Sequence, residues 1–147
     1  AIFTLKLEIP MNPPYAFAIT LALPVAQAVE TLRAALAAEQ MGIVSEVDMQ
    51  ATLKAKLGID SAPQRLLGVC SPKVAHALVT AEPDLAALLP CGASAHEATP
   101  GQTRVLLQDP RVILAASASQ DPAVKTVLEE ARGAVLRVVA ALGGQGA

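Results

Sequence analysis

The chain has 147 residues, a net charge of -2, 53% apolar residues and 16% charged residues, a balance opposite to that of disordered chains, which are poor in apolar material. One domain with one core is the expectation at this length. Its aromatic residues are Phe3, Tyr15 and Phe17, and no basic cluster is denser than Lys54 with Lys56, so base-stacking platforms and a phosphate-tracking surface are both missing and no nucleic-acid partner is expected.

Thr4 to Ile9 alternates apolar and polar residues, the period of a half-buried strand, so residues 1–14 are read as an N-terminal extension or edge strand, with Met11 a candidate start. Ile9 to Val29 carries no charge, and Ala26-Gln27-Ala28 has the form of a signal-peptidase site; that leaves a secretion signal as an alternative to a cytoplasmic protein. Pro10, Pro13, Pro14 and Pro24 interrupt the run, which argues against a signal and against a membrane span. Two cysteines in a chain of this size point to a reducing compartment rather than a disulfide scaffold.

Tyr15 to Leu23 alternates clearly, with Tyr15, Phe17, Ile19, Leu21 and Leu23 on one face, and is predicted as a strand. Pro24 then opens a helix whose apolar stripe is Val25, Val29, Leu32 and Leu36, and Gly42 is expected to stop it. Ile43 to Val47 is a short predicted strand; Asp48 is the N-cap of a two-turn helix with Met49, Leu53 and Leu57 on its packing side and Gly58 at its end. Arg65 to Cys70 is a third strand, and Ser71-Pro72 caps and starts a helix. A further helical segment follows Glu82-Pro83. Cys91 to Ala98 and Gln102 to Gln108 are strands joined by Thr99-Pro100-Gly101, a turn too short for anything but antiparallel pairing. The segment between Cys70 and Cys91 is long enough for a crossover, which leaves the pairing of those two strands open. A short helical segment opens at Asp109-Pro110, a long helix runs from about Asp121 to Leu142, and Gly143, Gly144 and Gly146 are expected to fray it.

The predicted fold is α+β and two-layered: a curved, mainly antiparallel sheet in β-α-β4-α order with helical insertions, and helices packed on one face. Residues 15–142 form the single domain and 143–147 a flexible tail. The residues Tyr15 to Leu23, Ser45 to Gly58, Leu67-Gly68-Val69-Cys70-Ser71-Pro72 with Ala75, and Leu88-Leu89-Pro90-Cys91 resemble the bacterial and archaeal family called domain of unknown function 302. The resemblance covers about residues 15–142. It implies an α+β fold with a curved antiparallel sheet covered by helices, often as a homodimer, and it implies no catalytic residues. The chain departs from the family after Pro90-Cys91, where an asparagine followed by β-branched residues is usual and Gly92-Ala93-Ser94-Ala95 stands here, a change expected to weaken the fourth strand.

Candidate site residues are Cys70, Cys91, Glu46, Lys54, Lys56 and Arg65. If the third and fourth strands are antiparallel neighbours, the two thiols share one end of the sheet, and near helix N-termini their pKa values would be lowered. The alternative is that both are small buried hydrophobes. His76 and His96 extend the set to Cys-x5-His-x14-Cys-x4-His, a spacing that fits no known zinc site, so no metal is assigned and no cofactor is named. Glu46 and Asp48 share a strand face and could pair as carboxylates, although Asp48 already serves as a cap. Lys54, Lys56 and Arg65 could receive an anion or belong to a solvated face. No serine lies in a recognisable nucleophile elbow. The expected function is a non-enzymatic, homodimeric module for a small ligand or partner protein; the alternative is a thiol-based sulfur or redox carrier using Cys70 and Cys91.

Overall fold

The computed structural model describes residues 12–144; the strand expected over Thr4 to Ile9 lies outside them. Five strands, β1 (Ala16–Leu21), β2 (Gly42–Asp48), β3 (Gln64–Cys70), β4 (Cys91–Thr99) and β5 (Gln102–Gln108), form one sheet in the order β1-β5-β4-β3-β2. All four pairings are antiparallel, including β3 with β4, which the sequence left open. The helices are α1 (Val25–Ala37), α2 (Met49–Leu57), α3 (Pro72–Ala81), α4 (Arg111–Ser117) and α5 (Pro122–Ala141), with a 3₁₀ helix over Pro83–Leu88. The α+β expectation holds. The substitution of Gly92 to Ala95 does not shorten β4, which pairs on both sides from the middle of the sheet.

Alternation sorts the strands as read. Phe17 and Ile19 of β1, Leu67 and Val69 of β3, Ala95 of β4, and Val105 and Leu107 of β5 pack against Val29, Leu32 and Leu36 of α1 and Val135, Val138 and Val139 of α5. A second cluster, Leu78, Leu85, Ile113, Val124 and Leu128, joins α3, the 3₁₀ helix and α4 to the first half of α5. Tyr15 is exposed, contrary to its expected place beside Phe17, because β1 starts only at Ala16 and its alternation does not extend to the turn before it.

Three helix starts follow the local sequence. The carboxylates of Asp48 and Asp121 accept from the N–H groups of Ala51 (2.9 Å) and Ala123 (2.8 Å), and the Ser71 hydroxyl accepts from Val74. The start of α1 differs, since Pro24 has no capping side chain. Glu97, at the far end of β4, supplies the cap instead: its Oε1 accepts from the Val25 N–H at 2.9 Å and its Oε2 from the Gly101 N–H in the β4–β5 turn at 2.8 Å. Those two backbone bonds hold its carboxyl below the ordinary range, against a smaller upward push from burial.

Helix ends depart from expectation for backbone reasons. α1 stops before Gly42, because Gln40 takes a left-handed conformation (φ 55°) and the Met41 N–H closes back on Leu36 C=O at 3.0 Å; Gly42 begins β2. Gly143 and Gly144 do not fray α5. With Gly143 at φ 85°, the Gly143 N–H donates to Ala140 C=O and the Gly144 N–H to Val139 C=O, the paired bonds of a Schellman motif. The rest of the expected tail lies outside the described residues. Leu57 is 65% exposed and α2 has no buried residue, so the apolar spacing in that helix does not mark a packed face. It is held by its Asp48 cap, its Gly58 stop and the Gln50 amide donating to Ser61 C=O at 2.9 Å.

Gly68 sits where β2, β3 and the loop before β4 meet. A Cβ there would lie 2.3 Å from Ser45 Oγ and 2.6 Å from Pro90 Cγ. Gly68→Ala is expected to destabilise the fold by about 1–3 kcal/mol through overpacking, read as a lowered urea midpoint, and pairing it with Ser45→Gly should recover only the hydroxyl's share of the loss. For Glu97 the sign follows from its lowered folded pKa: the stabilisation is complete above the unfolded carboxylate value and is lost as pH falls through the folded one. Glu97→Gln should therefore flatten the acid limb of the stability profile relative to the parent chain, and identical limbs would refute the cap.

Candidate functional site

A cleft of about 490 Å³ lies at the end of the sheet where β3 finishes and β4 begins. Met41, Val69, Val74, Cys91, Ala134 and Val135 form its inner surface, all of them buried or half-buried. Charged and amide groups border it: Glu39 from the end of α1, Lys73 from the first turn of α3, Gln108 from β5, and Glu130 and Arg137 from α5. Pro110 and Ala131 complete the wall toward α4 and α5. Arg137 donates through Nε to Glu39 Oε1, and Gln108 Oε1 accepts from the Gly92 N–H at 2.8 Å. A smaller, almost wholly apolar cavity of about 30 Å³ adjoins it through Val69, Val74, Cys91 and Ala131 and is also bordered by Cys70, Leu78, Ile113 and Leu128.

The six sequence candidates do not form one site. Both cysteines are free thiols at the same end of the sheet, as antiparallel pairing requires. Cys91 opposes Val69 in register and shares its face, whereas Cys70 borders the smaller apolar cavity, which it shares with Cys91, and not the cleft. Cys91 lies in the cleft. Burial pushes its thiol up to about 11, and the neighbouring Cys70 thiol adds to the rise, which is opposite to the lowering expected near a helix N-terminus. A half-buried sulfur among valines and alanines loses more hydration on ionising than a remote dipole returns.

Glu46, Arg65, Lys54 and Lys56 belong to the other end. Asp48 opposes Arg65, and Arg65 precedes Cys70 by about 17 Å of strand at the usual rise. Glu46 accepts from Arg65 Nη1 at 3.0 Å and meets Arg33 Nη2 of α1 at 3.8 Å. The carboxylate thus ties α1 to the β2–β3 pair and has no free partner role. Lys54 pairs with Asp60 at 2.8 Å, both largely exposed, beside an open hollow of about 370 Å³ formed with Gln50, Ile59 and Ser61; such a surface pair contributes little. Lys56 is exposed on the same helix. No arginine or lysine of this group reaches Cys70 to activate it. Among the described residues, no group of three or more His, Cys, Asp or Glu side chains could hold a metal ion, and no helix is long and apolar enough to cross a membrane.

Sequence reasoning missed most of the cleft. Glu39, Gln40, Met41, Lys73, Gln108, Glu130 and Arg137 come from four separate segments, and nothing in their spacing announces that they meet.

A family model described as Domain of unknown function DUF302 matches residues 17–142. The chain belongs to this family. Among solved structures it is similar to the crystal structure of an uncharacterized conserved protein DUF302 from Bacillus stearothermophilus, with 22% identity, a TM-score of 0.74, and coverage of 89% of this chain and 98% of that one. At that identity the likeness speaks for the DUF302 fold alone. A comparison with curated proteins finds no match.

The raised Cys91 pKa has a direct readout. In a Cys70→Ser variant, which keeps burial as the larger cause of the rise, alkylation of Cys91 at about pH 8 should still run more than about tenfold slower than for an unperturbed thiol, from the thiolate fraction alone. The rate should still be climbing above about pH 10; a plateau near pH 9 would contradict the assignment.

Proposed function

We propose that this DUF302 chain is a non-enzymatic binding module that takes a small ligand into the cleft between the β3–β4 end of the sheet and α5, and that it works in the cytoplasm as a homodimer. The cleft carries the reading. Its volume of about 490 Å³ lies in the range of small-molecule sites, and it combines an apolar lining with a few polar groups, as such sites do. The local chemistry favours binding over catalysis. The cleft's cysteine is a thiol whose protonated form is favoured by burial, and neither histidine borders the opening.

The thiol-carrier alternative has Cys91 in the cleft lining as its support, but it needs an ionised sulfur, and the environment of Cys91 opposes ionisation. Support for the homodimer comes from the β2 edge of the sheet. A bulge between Ile43 and Ser45 leaves Val44 unpaired and 62% exposed, and Val47, Leu57, Ile59 and Leu66 are exposed apolar residues of β2, α2, the loop after it and β3. Exposed apolar side chains beside an uncovered edge are suited to meet a second copy.

Native mass spectrometry of freshly purified protein tests both halves together. The expected spectrum shows two chains and a retained small molecule, and Ala131→Phe, which fills the cleft from α5, should lose the adduct while keeping its circular dichroism. An adduct retained by the filled variant would overturn the cleft reading, and a single-chain mass at micromolar concentration would overturn the dimer.

A further inference from the structure

We infer that the ligand of this cleft is a small aliphatic zwitterion, an α-amino acid with an alkyl side chain; the inference rests on the cleft reading above and names its ligand class. The charges at the opening decide it. Among the described residues, two cations, Lys73 and Arg137, and two anions, Glu39 and Glu130, border the cleft, and their charges cancel, leaving no excess to attract a simple anion or cation. Arg137 and Glu39 neutralise each other. Among the described residues, Lys73 and Glu130 have no hydrogen-bond or ion-pair partner.

A ligand carrying one positive and one negative group satisfies both at once, carboxylate toward Lys73 and ammonium toward Glu130. A monocarboxylate would gain Lys73 and meet Glu130 uncompensated, and a monoamine would do the reverse. Gln108 adds to the carboxylate side. Its Oε1 accepts from the Gly92 N–H, and its amide N–H₂ is a donor suited to a carboxylate. The inner surface sets the side chain. Among the described residues no aromatic side chain borders the cleft, while Met41, Val69, Val74, Ala134 and Val135 offer aliphatic contact. Cys91 adds a protonated thiol to that surface and no charge.

The test is an amide NMR titration of the full chain with L-leucine, 4-methylpentanoate, 3-methylbutylamine, 3-methylbutan-1-ol and L-phenylalanine. L-Leucine should shift the amides of Val69, Cys91 and Ala134, and the two singly charged analogues should bind about tenfold or more weakly, the loss expected for one charge-assisted contact. Lys73→Gln should weaken L-leucine and leave 3-methylbutylamine unchanged or improved, and Glu130→Gln should weaken L-leucine and spare 4-methylpentanoate. Both residues are exposed, so neither substitution threatens the fold. Equal binding of L-leucine and either singly charged analogue, tighter binding of L-phenylalanine, or silence of both substitutions overturns the zwitterion. If L-leucine fails and 3-methylbutan-1-ol shifts the same amides, the ligand class is wrong and the cleft reading stands. Failure of all five compounds also overturns the zwitterion, and the cleft reading then stands or falls on whether Ala131→Phe releases the co-purified molecule.

Discussion

Asp109 is the constraint on which the arrangement of helices depends. It follows the last residue of β5, and its side chain is only 9% exposed. Its backbone N–H reaches back to Tyr15 C=O at 2.8 Å, while its carboxylate takes the Arg111 N–H at 3.0 Å and the side chains of Arg111 (3.4 Å) and Arg132 (3.3 Å). One acidic group therefore fixes the entry to β1, the start of α4 and the middle of α5. A buried carboxylate left without its cation costs about 3–5 kcal/mol, so α5 cannot rotate or slide without breaking this pair. Arg132 also lies over the Phe17 ring, 5.5 Å from its centroid, and a cation there gains from the ring's negative face. Through Arg132 the long helix is anchored to the first strand as well as the last.

That anchor separates the chemistry of the molecule into two ends. At one, β2 and β3 meet α1 through Glu46, Arg33 and Arg65, and every charge named there is engaged in holding elements together or is solvated. At the other, β3 leads into α3 and β4 leaves the loop after the 3₁₀ helix, and side chains from α1, α3, α5 and the sheet converge without filling the space between them. Glu46 and Arg65 at the first end hold elements together, while Glu39, Lys73, Glu130 and Arg137, of the same residue types, border the opening at the second. Residue type alone does not decide this.

What was legible in the sequence is what depends on near neighbours. Alternation located β1, the Thr99-Pro100-Gly101 turn located the β4–β5 hairpin, and the caps at Asp48, Ser71 and Asp121 act over two or three residues. The resemblance to the DUF302 family, carried largely by the Ser45 to Gly58 run, was correct, although that run contributes nothing to the cleft lining. Errors arose wherever the controlling partner was remote. The cap of α1 is Glu97, 72 residues from Val25, and no local pattern distinguishes it from a solvated glutamate beside a turn. Spacing suggested that Leu57 packs, but in a helix of nine residues three apolar positions recur on one side whether or not anything covers them. Lowered thiol pKa values were expected from proximity to helix starts, and burial, which spacing does not report, outweighed that effect at Cys91.

The cleft itself follows from residue size along α5. The first half of this helix presents Val124 and Leu128 to the small cluster of α3, the 3₁₀ helix and α4, and the second half presents Val135, Val138 and Val139 to the sheet. Between these two packed stretches the chain carries Ala131, Gly133 and Ala134, too small to bridge the gap that opens where the helix passes from one cluster to the other. Fully enclosed, an unfilled volume of that kind would be strongly destabilising. Here it opens to solvent beside Lys73 and Glu130, so water can occupy it in the free protein. Larger side chains at 131 and 134 would have filled part of it; their absence preserves an apolar recess at the one point on α5 where Asp109 and Arg132 hold the helix still.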